Sequence, residues 1–151
     1  MGRMQRMKNR IASAVAVSVI AVATMLGGAA SASATDPDDA PAGYAGPFSS
    51  CSGDLVYHIP LSGTSGYINV WYSPAGSGTF CAMTFDNLAG SHHIEVILRH
   101  EDWQTPWYDS GTYSTFAGGI YVSGMNTRCA YVWGRVVVNG VDYNNGWDYI
   151  C

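Results

Sequence analysis

His92-His93-Ile94-Glu95-Val96-Ile97-Leu98-Arg99 is the stretch on which the fold turns. Successive side chains of an extended chain point to opposite sides. Ile94, Val96 and Leu98 therefore share one face, and His93, Glu95, Ile97 and Arg99 share the other. The first face is expected to pack on a core. The second, mostly polar, is expected to be solvated or to lie at a groove. Similar runs recur on both sides. Strands are predicted near Leu55–Ile59, Tyr67–Tyr72, Thr79–Phe85, His92–Arg99, Tyr108–Phe116, Ile120–Val122, Cys129–Trp133, Val136–Val138 and Val141–Tyr143. Breaks fall at Ser62-Gly63-Thr64-Ser65-Gly66, Pro74-Ala75-Gly76-Ser77-Gly78 and Ala89-Gly90. Asn139-Gly140 lies between Val136-Val137-Val138 and Val141-Asp142-Tyr143, a strong two-residue hairpin signal because both residues tolerate positive φ. Neither a convincing amphipathic helix nor an internal repeat is found. Turns every ~8–12 residues predict an all-β domain, a β-sandwich or barrel of about eight short antiparallel strands, with the sandwich favoured.

The chain upstream has a different character. Arg3, Arg6, Lys8 and Arg10 stand in the first ten residues without an acid. Ile11 to Leu26 is apolar and uncharged, and small residues follow to Ala34. This order is that of a secretory signal peptide, with cleavage expected after Ala34 or, as second choice, after Ala32. The apolar run is short of the ~20 residues that a spanning helix needs. Thr35 to Ser50 is mainly Asp, Pro, Ala, Gly and Ser, and reads as a flexible acidic tail. The expected organisation is signal peptide over 1–34, tail over 35–50 and β domain over 51–151.

Beyond residue 34 only Arg99, Arg128 and Arg135 are basic, against eleven acids, so the net charge there is −8 with His neutral. Nucleic acid, which needs clustered Lys or Arg, is not an expected partner. Anionic membranes are disfavoured for the same reason, and no membrane association is expected of the mature form. All nineteen aromatic residues lie in this part, a large supply of buriable surface for a small domain. Cys51, Cys81, Cys129 and Cys151 lie there too, without a C-x-x-C spacing. Four cysteines allow three pairings. Cys51–Cys81 with Cys129–Cys151 is favoured because it ties each end to the body; the sequence does not choose. Each such loop is worth about 3–4 kcal/mol in the chain-entropy model.

Chemistry-bearing groups are few. His93 and Glu95, two apart on one strand face, are the candidate metal or acid–base pair, but a usable site needs a third ligand. The plain alternative is a charged outer strand face that limits edge pairing. Neither G-x-S-x-G nor H-E-x-x-H occurs, and Gly76-Ser77-Gly78 and Gly118-Gly119 sit between predicted strands rather than before a helix. No catalytic residue and no cofactor is expected. Among the tryptophans, Trp103 and Trp107 lie in the polar stretch from Glu101 to Asp109 and are the candidate exposed, ligand-binding pair. Trp71 and Trp133 sit within strand runs and are expected in the core.

Asp109-Ser110-Gly111-Thr112-Tyr113-Ser114-Thr115-Phe116-Ala117-Gly118-Gly119-Ile120-Tyr121-Val122 leads to Cys129, to Trp133-Gly134 and to Cys151. With Cys51 and with Phe80-Cys81-Ala82-Met83-Thr84, this phrase resembles the spore-associated protein A-like family of small exported bacterial proteins, over roughly Cys51 to Cys151. The chain departs from the family pattern in its longer step from Cys129 to Trp133 and in Arg135 after Gly134. The resemblance implies export and association with the spore or cell surface, and it carries over only the four cysteines, as structural positions. The expected function is that of a secreted, non-enzymatic protein of the spore or cell surface, its partner a surface component such as a polysaccharide. A carbohydrate-binding module using Trp103 and Trp107 is the alternative, and an exported enzyme inhibitor a third.

Overall fold

The computed structural model describes residues 35–102 and 104–151. The leader expected over 1–34 and Trp103 lie outside the described residues. A 3-10 turn (Pro37–Asp39) precedes ten strands: β1 (Tyr44–Ala45), β2 (Asp54–Pro60), β3 (Tyr67–Ser73), β4 (Thr79–Phe85), β5 (His92–His100), β6 (Pro106–Tyr113), β7 (Phe116–Ser123), β8 (Ala130–Val138), β9 (Val141–Asn144) and β10 (Asp148–Ile150). They form two antiparallel sheets. The first runs β1-β7-β4-β3-β2; the second runs β10-β8-β5-β6, with β9 also paired to β8. Neither sheet closes on itself, so the architecture is the sandwich.

The core lies between the sheets and follows the alternation. Ile94, Val96 and Leu98 of β5 are fully buried, as are Val132 and Val136 of β8. They meet Ile68 and Val70 of β3, Phe80 and Ala82 of β4, and Ile120 and Val122 of β7. Asn139 (φ 50°) and Gly140 (φ 78°) make the tight turn between β8 and β9. The disulfides are Cys51–Cys81 and Cys129–Cys151, the favoured pairing.

The strands differ from the sequence reading in several places, and β10 (Asp148–Ile150) lies beyond the last strand expected. The expected strand Tyr108–Phe116 is two strands, β6 and β7, joined through Ser114 and Thr115, which carry no Gly, Pro or Asn-Gly signal. The expected strands Cys129–Trp133 and Val136–Val138 are one strand, β8. Gly134 does not break it: a Cβ there would lie 2.3 Å from Thr84 Oγ1 and 2.8 Å from Ile68, so the glycine lets the sheets approach. Gly118-Gly119 is a bulge inside β7, where Ala82 pairs with Ile120 and Met83 with Gly118. Finally, the chain joins the domain before Cys51. Tyr44 and Ala45, assigned to the tail, pair with Val122 and Tyr121, and the Phe48 N–H donates to Gly119 O at 3.1 Å. A Cβ at Gly46 would lie 2.2 Å from Gly119 O, so the close approach of this segment to the bulge requires glycine.

Candidate functional site

The exposed chemistry of the molecule collects on the outer face of the second sheet. Because Ile94, Val96 and Leu98 point inward, their neighbours His93, Glu95, Ile97 and Arg99 point out. The same parity turns Tyr108 and Ser110 of β6 and Tyr131, Trp133 and Arg135 of β8 outward. Register aligns them in rows across the strands. Arg99 stands between Pro106 and Tyr131, and Tyr131 pairs with Tyr149. Ile97 stands between Tyr108 and Trp133. Glu95 stands between Ser110 and Arg135, and His93 between Thr112 and Val137.

One end of this face is aromatic. The rings of Trp133 and Trp147 lie 6.3 Å apart at 36°, and those of Tyr131 and Tyr149 lie 4.9 Å apart. Arg135 stands over Trp133 at 5.6 Å and Arg99 over Trp147 at 5.5 Å, so two cations fix the two indoles. Tyr108 is 43% and Trp147 42% exposed, uncommonly open for rings of that size.

The other end is a charged network. Arg135 reaches Asp142 through Nη1 at 3.1 Å, and its Nε lies 2.9 Å from Glu95 Oε2 as an ionic contact without hydrogen-bond geometry. His93 Nε2 lies 3.9 Å from Glu95 Oε2 and 3.3 Å from Ser110 Oγ. The Asn144 amide, and then Arg135, hold the Asp142 carboxyl below the usual carboxylate range. His93 and Glu95 are thus brought together as their spacing implied. The third group at the pair is a guanidinium, which repels a metal ion. Among the described residues, no three His, Cys, Asp or Glu side chains gather as a metal would require.

The tryptophan expectations change places. Trp107 is 7% exposed, and its Nε1–H donates to Gly46 O at 2.8 Å beneath the N-terminal segment. It offers no face to a ligand. Trp103 lies outside the described residues. Trp71 and Trp133, expected in the core, are on the outer faces of their sheets and only half-buried. On the first sheet the aromatics engage each other: Tyr67 stacks on Phe85 at 5.1 Å and 20°, with Phe116 and Trp71 at 5.9 and 6.4 Å from Phe85.

The phrase beginning at Asp109 is a packing device between the sheets. Trp107, Asp109, Gly111 and Tyr113 alternate along the inner face of β6. Asp109 is 4% exposed. Its Oδ1 accepts from the Tyr113 hydroxyl at 2.7 Å, and its Oδ2 accepts from the Gly118 N–H at 2.8 Å, in the β7 bulge. A Cβ at Gly111 would lie 2.8 Å from the Tyr113 ring, so glycine leaves room for the ring to fold back towards Asp109. Burial, and then the Asp109 carboxylate, push the Tyr113 hydroxyl well above the ordinary tyrosine range. A second internal contact joins the N-terminal segment to β5: the Tyr44 hydroxyl donates to Thr105 O and accepts from the His100 N–H at 3.0 Å.

Spore-associated protein A of Streptomyces coelicolor is 32% identical to this chain over 94 residues, which are 61% of this chain and 58% of that protein. The resemblance read from the sequence is shown by this relative, and the chain spans under two thirds of its length. No family model and no solved structure matches.

Proposed function

We propose that this chain is an exported, non-enzymatic protein of the cell or spore surface that acts by binding. The observation that carries the reading is the role of the phrase behind the resemblance. Asp109, Gly111, Tyr113 and Gly118 join the two sheets, and Gly134 lets them approach. The residues on which the resemblance was read from the sequence are thus part of the framework. The exposed rings and charges of the second sheet stand on an open face rather than in a cleft, which suits adhesion better than turnover. Two disulfides fit a compartment that is oxidising. With three basic residues beyond residue 34, all engaged with carboxylates or rings, nucleic acid is a poor partner.

The test is location. Cells making the full chain are fractionated into cytosol, wall, medium and spores, and free thiols are counted in each pool. The expected result is oxidised protein, shortened at its N-terminus, in the wall or spore fraction. Full-length, reduced protein confined to the cytosol would sink the reading.

A further inference from the structure

We propose that the outer face of the second sheet binds an uncharged polysaccharide, laid across the strands along Tyr108, Ile97, Trp133 and Trp147. The proposal rests on the surface reading for its setting and names the ligand class. Its basis is the combination of rings and polar groups in adjoining rows. A pyranose has a face of C–H bonds, which packs on the negative face of an indole or phenol. Its equatorial hydroxyls point sideways, where they need donors and acceptors. The row Tyr108–Ile97–Trp133 supplies the apolar floor, continued by Trp147 beside Trp133. The next row, Ser110–Glu95–Arg135, supplies a hydroxyl, a carboxylate and a guanidinium. Strands lie about 4.8 Å apart, so the floor runs some 14 Å, the span of a few sugar rings.

Two features favour a glycan over other occupants. The indoles are already oriented by Arg99 and Arg135, so little side-chain freedom remains to be lost on binding. Charge on the face is matched, with Arg135 held between Glu95 and Asp142, while the chain beyond residue 34 carries −8. A polyanion such as teichoic acid or a polyuronate meets net repulsion; a neutral chain does not. On the first sheet Tyr67 and Phe85 stack face to face at 5.1 Å and 20°, whereas Trp133 and Trp147 are tilted by 36° at 6.3 Å.

The experiment is co-sedimentation of the oxidised full chain with chitin, cellulose and an insoluble β-1,3-glucan, and with teichoic acid-bearing walls as the anionic comparison. The expected result is saturable binding to a neutral glycan, competed by its soluble oligosaccharide and insensitive to salt. Trp147→Ala and Tyr108→Ala should each weaken it roughly five- to tenfold, the range one aromatic contact carries. Trp71→Ala, on the opposite face, should leave it unchanged, with near-ultraviolet circular dichroism confirming the fold of each variant. Retention by none of the neutral glycans overturns the proposal. So does salt-sensitive binding to the anionic walls alone, or binding that Trp71→Ala abolishes and Trp147→Ala does not. Surface location without glycan binding defeats this inference and leaves the surface reading standing; glycan binding by a protein confined to the cytosol does the reverse.

Discussion

Gly134 shows how much of the sandwich depends on one absent methyl group. Its Cα faces Thr84 across the core, and a Cβ would come within 2.3 Å of Thr84 Oγ1, a buried oxygen that itself lacks a hydrogen-bond partner. Gly134→Ala should therefore destabilise the protein by about 1–3 kcal/mol, the usual cost of overpacking. Adding Thr84→Ala makes room for the new methyl, so the double variant should lose clearly less than the sum of the two single changes, as urea unfolding would measure. Tyr113 makes a prediction about pH. An unfolded tyrosine loses its proton near pH 10, whereas burial and Asp109 keep Tyr113 protonated to higher pH. Above pH 10 the unfolded state binds fewer protons than the folded one. The stabilisation is complete below about pH 10 and is lost as pH rises beyond it. Tyr113→Phe should flatten that alkaline decline in unfolding free energy, and an unaltered slope would refute the assignment.

Among the elements, β9 and β10 behave as one strand with a gap, and Asn145 fills the gap with its side chain. Its Oδ1 accepts from the Gly134 N–H at 2.9 Å, and its Nδ2 donates to Val132 O at 3.4 Å, two β8 groups that a continuous strand would have met with backbone. Asn145→Ala should cost about 1–3 kcal/mol and speed hydrogen exchange at the Gly134 amide above all others in β8. The sequence shows the strands themselves well, because alternation is local: β4 runs over Thr79–Phe85 as read, and β5 extends the reading by one residue. It hides what depends on partners. Nothing near Asn145 announces that its amide substitutes for a strand. Aromatic residues in strands usually lie inside, which predicts a buried Trp133, although its parity with Tyr131 and Arg135 opposes it to Val132 and Val136. Polar neighbours predict an exposed Trp107, yet Asp109, two residues on, is polar and buried. The outer face of the second sheet is half legible: the alternation places His93 and Glu95 on it, while its aromatic end assembles from β6, β8 and the β9–β10 connection and appears only with register.

Taken whole, the molecule divides its labour between its surfaces. One outer face is an aromatic cluster engaged with itself, the other an aromatic and charged floor, and the layer between holds Asp109, Tyr113 and Gly118. The N-terminal segment belongs to this plan, since Tyr44, Gly46 and Phe48 reach β5, β6 and β7. Removing residues up to Ser50 should therefore lower the midpoint of thermal unfolding, which a true tail would not do. The place of β7 between β1 and β4 has a consequence in time. The meander β2-β3-β4 is local and can assemble early, but the free side of β4 waits for residues 116–123, and β1 waits for the same strand from still further away. Such non-local pairing sets folding in the range of milliseconds to seconds rather than microseconds. While the chain folds, it thus passes through an interval with the edge of β4 open, and it is then, rather than in the finished protein, that a second unfolded chain could pair with it.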